Sequence, residues 1–192
     1  MGEIRPPEPV ALICGILAGR EEWLEAALQL LERHLGTIEE MSDVFPFDCT
    51  RYYEPAMGPN LLRRFAAFSR LIDPGRLAEI KHLTNRLEGE VVGEVPRPVN
   101  LDPGTLNGSQ LVLASTKPYA HRVYLRDGIY AEVTLVWSAR EGGGWRALPW
   151  TYPDYAAATY HPFLRAVRAR YLAVRRASRA VRAGGEPGEA AR

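Results

Sequence analysis

The sequence predicts an α+β fold, a sheet and helices packed as an α/β sandwich. Three stretches carry that reading. Val10–Leu17 (VALICGIL) is a continuous apolar run of strand length, as expected for a strand buried on both faces. Arg20–Leu35 follows as an amphipathic helix, with Leu24, Ala27, Leu28, Leu31 and Leu35 at steps of three and four. Tyr119–Leu125 and Ile129–Trp137 flank Asp127-Gly128, a strong hairpin signal.

The remaining elements follow in order. Gly36 is placed to cap the first helix. Thr37–Phe47 is expected as a second strand, and residues 46–59 (PFDCTRYYEPAMGP) as an ordered, aromatic loop. Leu61–Ile72 fits a helix through Leu61, Phe65, Phe68 and Ile72, and also fits a strand over Arg64–Leu71. Asp73 and Pro74 then open a helix as N-cap and first residue. Its buried face is Leu77, Ile80, Thr84 and Leu87, and it ends near Glu90. Val99–Pro103 and Leu111–Ala114 are short extended pieces, and Trp145–Leu148 is a short strand after the GGG turn. A final helix spans Thr159–Val174. The order β-α-β-β-α-β, then hairpin and helix, fits a ferredoxin-like core with an added β-hairpin and C-terminal helix. A small doubly wound sheet is the alternative. One α/β domain over residues 1–174 and a basic, disordered tail over 175–192 are expected.

Composition sets the class. With 192 residues and 46% apolar content, the chain has material for a core without staples. No apolar run approaches the ~18 residues of a membrane helix. The N-terminus MGEIRPPEPV does not read as a signal peptide, and two cysteines are too few for a disulfide framework. A reducing, cytoplasmic setting is expected. Residues 165–192 carry eight arginines against two glutamates, while residues 1–164 hold 16 basic and 21 acidic residues. The acidic body argues against nucleic acid as a partner. Arginine outnumbers lysine 22 to 2, which reads as codon bias and makes Lys81 and Lys117 stand out.

The hairpin supplies the candidate site. A two-residue turn at Asp127-Gly128 pairs Arg126 with Ile129, Val123 with Glu132 and His121 with Thr134. His121 and Glu132 then share one face as diagonal neighbours, with Arg122 and Tyr124 opposite. A carboxylate at that distance orients an imidazole; a plain polar rim pair fits as well. Asn100 and Asp102 share one face of an extended segment, where Asp102 offers one carboxylate to Mg²⁺. Asp102-Pro103-Gly104 also reads as an ordinary turn. Lys117, with His121 and Arg122 near it in sequence, offers charge to a phosphate or carboxylate. No G-x-G-x-x-G, Walker loop, zinc spacing or G-x-S-x-G is present.

Five blocks, PFDCTRYYEPAMG, LIDPGRLAEIKHLTN, VNLDPGTL, LVLASTKPYAHRVYLRDGIYAEVTL and LPWTYPDY, resemble in order and length the prokaryotic domain-of-unknown-function family 4416 over about residues 8 to 174. That resemblance implies a soluble cytosolic protein and no particular activity. ICGILAGREEWLEAALQLL and PRPVNLDPGTL are similar in placement to the opening strand-turn-helix and the paired-aspartate segment of hydroxymethyldihydropterin pyrophosphokinase. This likeness implies a ferredoxin-like fold with a strand over Arg64–Leu71. The Mg²⁺-binding aspartates of that enzyme correspond to Asn100 and Asp102, so one carboxylate is missing.

The expected function is binding, with or without transformation, of a small anionic or nucleotide-like ligand by Asp102, Lys117, His121, Arg122 and Glu132. The alternative is an interaction module using the aromatic segment 150–160 and the basic C-terminal helix.

Overall fold

The computed structural model describes residues 2–184. Along the chain run β1 (Val10–Ala18), α1 (Glu21–Leu35), β2 (Ile38–Met41), β3 (Phe45–Pro46), α2 (Glu54–Met57), β4 (Leu62–Ile72), α3 (Leu77–Glu88), β5 (Val99–Leu106), β6 (Gln110–Ser115), β7 (Val123–Arg126), β8 (Ile129–Ser138), β9 (Gly144–Ala147), α4 (Pro153–Ala156) and α5 (His161–Gly184). The fold is α+β, as the sequence predicts, and the pairing is antiparallel.

The strand order is β2-β4-β1-β5-β6-β8-β7, with β3 on β4 and β9 on β8. Two β-α-β units therefore interlock. In β1-α1-β2 the strand β4 is inserted between the two strands, and in β4-α3-β5 the strand β1 is inserted. All nine residues of β1 are buried, which is why its sequence shows no alternation. On one face Leu12, Cys14, Ile16 and Ala18 meet Trp23, Leu24, Leu28 and Leu31 of α1 and Ile80 and Leu87 of α3. On the other, Ala11, Ile13 and Phe65 meet Tyr155, Tyr160, Phe163, Leu164 and Val167. The C-terminal helix thus forms the second outer layer.

Local chemistry places the breaks. Gly36 closes α1 at φ 95°, a conformation that favours glycine. Asp73 caps the entry to α3 through a 2.7 Å bond from the Gly75 N–H. The ambiguous segment 61–72 is the strand β4. The strand expected over Thr37–Phe47 is instead split into β2 and β3. Between them Ser42 stays tied to β4, its Oγ accepting from the Phe65 N–H at 2.9 Å. The last helix runs ten residues past Val174 to Gly184. Arg175 on that extension is buried and pairs with Glu8, so the part of the expected tail up to residue 184 is helical. Residues 185–192 of that tail lie outside the described residues.

Two expectations are corrected here. Asp102-Pro103-Gly104 is not a turn but the middle of β5. The hairpin turns at Asp127-Gly128 with φ 52° and 75° as expected, yet its register is one residue off. Arg126 faces Ile129, but Tyr124 faces Tyr130 and Val123 faces Ala131. Leu125 is the extra residue of a bulge, and a bulge shifts every pair beyond it.

Candidate functional site

The site begins with a fork between β5 and β6. These strands pair only at Gly104–Leu113, Thr105–Val112 and Leu106–Leu111. Gly104 allows that close approach, since a Cβ there would lie 2.8 Å from the Val112 carbonyl oxygen. Beyond it the ladder stops at Pro103. The Leu101 N–H donates to Glu88 Oε1 at 2.8 Å and its carbonyl accepts from Lys81 Nζ at 2.7 Å. Leu101 therefore aims its polar backbone away from β1, and by the two-residue repeat Pro103 does too. Proline has no N–H for that ladder. Two side chains of α3 thus stand in for the missing strand partner.

The opened fork is a cavity of about 640 Å³. Asn100 and Asp102 form one wall, Ser115–Lys117 the other, Lys81 and Glu88 the α3 side, and Arg63, Asp154 and Tyr155 a third side. Arg63 and Asp154 are buried and joined at 2.6 Å. Asp102 receives Asn100 Nδ2 at 2.6 Å and lies 3.4 Å from Arg63 and 3.8 Å from Lys81. Arg97 joins Glu88 at 2.6 Å and Asn100 at 2.5 Å. Burial alone would pull the Arg63 pKa down, but Asp154, Tyr155 and Asp102 outweigh it and push it up. Burial raises the Asp154 carboxyl pKa from its ordinary value, with Arg63 opposing and Asp102 adding. Burial likewise pushes the Tyr53 and Tyr155 phenols far up, so both remain protonated donors at neutral pH.

The five sequence-predicted residues converge on this region. Asp102, Lys117, Arg122 and Glu132 line the cavity. His121 stands behind them, its Nε2 3.0 Å from Glu132 Oε2 and its ring stacked 5.5 Å from Trp150. The route to this arrangement differs from the expected one. Tyr119–Arg122 is a turn, closed by Arg122 N–H to the Tyr119 carbonyl at 2.9 Å, rather than the start of a strand. Pleat alternation does not apply there, so Arg122 does not point to the opposite face. Its Nε joins the same Glu132 oxygen at 2.8 Å, and its Nη1 donates to Ser115 Oγ at 2.6 Å. Lys117 Nζ donates to the Tyr52 hydroxyl at 3.1 Å and lies 4.7 Å from that ring's centre.

The chain matches the model of a domain of unknown function, DUF4416, over residues 8–171. It belongs to this family. No curated protein matches the chain, and the likeness to hydroxymethyldihydropterin pyrophosphokinase carries no activity to it.

In this DUF4416 chain both Asp102 oxygens already face nitrogen donors. Among the described residues no group of three His, Cys, Asp or Glu converges as a metal site. No described helix is long and apolar enough to cross a membrane. Sequence reading missed Arg63, Lys81 as a site residue, Glu88, Arg97 and Asp154. A signal existed for two of them: Leu77, Lys81, Thr84 and Glu88 fall on one stripe of α3, so two charges sit on a face that is otherwise buried. Arg63 is one of 22 arginines and nothing local marks it.

Proposed function

We propose that this DUF4416 chain binds a small anionic or nucleotide-like ligand in the β5–β6 fork. The observation that carries this reading is the convergence of Arg63, Lys81, Arg97, Lys117 and Arg122 around one open cavity, five cations against the four carboxylates of Glu88, Asp102, Glu132 and Asp154 that line it with them. Such a cluster of fixed donors, rimmed by aromatic rings, suits a planar or phosphorylated anion. Glu132 holds Arg122 and His121 in place, and Asp154 holds Arg63. Trp150 and Tyr152 remain part-exposed, but Tyr155 and Tyr160 are buried, which leaves the interaction-module alternative with half its aromatic surface. The interlocked β-α-β units support a ferredoxin-like core in one domain as part of the same proposal.

A thermal-shift panel of nucleoside mono-, di- and triphosphates and inorganic phosphate, with and without Mg²⁺, tests it. A ligand at 100 times its Kd adds about 2.7 kcal/mol. At roughly 0.4 kcal/mol per kelvin for a chain this size, that is a rise of about 7 °C. No rise with any anion overturns the reading.

A further inference from the structure

We propose that α5 docks on double-stranded DNA through an outward stripe of four arginines, which hold phosphates on both sides of a groove without reading base sequence. This surface is separate from the fork and does not depend on it.

The helix sequence concentrates one sign of charge. His161–Gly184 holds no Asp or Glu, although the first 164 residues carry 21 acids. Codon bias supplies arginines but does not remove acids. At 3.6 residues per turn, Arg165, Arg168, Arg176 and Arg179 fall within about 80° of one another, along about 21 Å of helix. Arg168 is half-buried and the other three are exposed. The apolar face of α5, with Phe163, Leu164, Val167 and Tyr171, is packed in the core. The helix therefore has no apolar face to lay into a lipid surface.

Nothing in the described protein neutralises the stripe. The acids that reach α5 pair elsewhere on it, Glu39 and Glu40 with Arg170 and Glu8 with Arg175. Arg165 Nη1 and Arg168 Nε donate instead to the Gly143 and Gly108 carbonyls, at 3.1 and 2.8 Å. Their guanidiniums lie 5.6 and 3.7 Å from the ring centre of Trp137. Burial pulls the Arg168 pKa down, and no acid opposes it. Two of the four cations are thus held in place with further N–H groups open, which suits phosphate oxygens. The acidic balance of the whole chain argues against nucleic acid, but the fold sets unpaired positive charge on this one helix face.

Spacing favours a duplex. Arg165 and Arg168 form one pair and Arg176 and Arg179 another, centred about 16 Å apart. That separation straddles the major groove of DNA, about 12 Å wide. Ala169 and Leu172, on the stripe between the pairs, offer base edges no hydrogen bond, so the contact carries no sequence.

Fluorescence anisotropy of two unrelated 20-base-pair DNA duplexes, titrated with the full chain, tests the proposal. Both should bind alike at 50 mM salt. Four phosphate contacts give a slope of about −3.6 in log K against log salt, a loss of about 150-fold between 50 and 200 mM. Arg176→Gln with Arg179→Gln should halve that slope and leave a loss of about twelvefold. Arg33→Gln, on α1 across the sheet, should change neither. Melting temperatures of the variants should match the wild type, since Arg176 and Arg179 are exposed. No binding at 50 mM, or an unchanged slope in the double variant, overturns the proposal. So does a preference above tenfold between the duplexes, or equally tight binding of a single strand, polyglutamate or phosphatidylserine vesicles.

Discussion

Neutralising Asp154 should destabilise the protein strongly, and removing Arg63 at the same time should restore much of the loss. Both side chains are 1% exposed and 2.6 Å apart. Asp154→Asn keeps the shape and the acceptor for the Tyr155 N–H, bonded at 2.8 Å, but strips Arg63 of its nearer counter-charge. Breaking a buried pair from one side costs about 3–5 kcal/mol, chiefly because the remaining charge is stranded. Arg63 keeps Asp102 at 3.4 Å, so the lower end, about 3 kcal/mol, is expected. With an unfolding entropy near 2.1 cal/mol/K per residue, the melting temperature falls by roughly 7 °C. Arg63→Met alone leaves Asp154 and Asp102 facing each other without the guanidinium, and should cost a similar amount. In the double variant neither stranded charge remains. Urea unfolding of the four proteins at pH 7 gives the coupling, expected to exceed about 1 kcal/mol in the compensating direction. Additivity within about 0.5 kcal/mol would refute the buried pair as a coupled unit.

Three further outcomes follow. Gly15→Ala places a methyl 2.6 Å from Tyr155 Oη and 3.1 Å from Phe65 Cε1. It should lower stability by about 1–3 kcal/mol in urea unfolding, and an unchanged midpoint contradicts the packing. Burial, then Arg165, lowers the His161 pKa below 6.5, and its Nε2 is buried without a partner. Below pH 6.5 the unfolded chain takes up the proton first, so stability should fall with acidification through that window. His161→Gln should show a smaller drop between pH 7.5 and 5.5 than the wild type; an equal drop refutes the assignment. Cys14 is fully buried with its thiol pushed up by burial, whereas Cys49 is exposed. A thiol reagent at pH 8.5 should modify one cysteine per native chain and two in guanidinium; two fast thiols in the native protein contradict the core position of Cys14.

What the sequence made legible was local. β1 announced itself as an unbroken apolar run, α1 by its stripe of leucines, and the hairpin by Asp127-Gly128, because each depends on neighbours in the chain. The strand β4 was not decidable from periodicity, since residues 65–68 are buried on both faces of the sheet, Phe65 and Ala67 in one layer and Ala66 and Phe68 in the other. The hairpin register failed for a similar reason: the bulge at Leu125 is settled by how β7 meets β8. His121 and Glu132 still meet, but through a turn whose geometry no alternation rule covers. The fork was hidden in plain view. A proline inside an apolar, strand-like segment suggested a turn at Asp102-Pro103-Gly104, whereas it marks the place where one ladder of β5 ends. Arg63, Asp154 and Lys81 come from β4, α4 and α3, and only the tertiary fold brings them to Asp102.

The way Leu101 is held has a consequence for how this protein accommodates an opening near its centre. A hollow carved from packed side chains forfeits dispersion contacts all around it. Here the opening comes instead from parting two strands, and an ammonium and a carboxylate borrowed from α3 occupy the bonding positions that the departing strand gave up. The hydrophobic layers on either side of β1 are left whole. Remodelling of Ser115–Arg122 should therefore alter what fits in the gap with little effect on the melting of the layers beneath, whereas exchanging Lys81 or Glu88 should disturb the opening and the stability together.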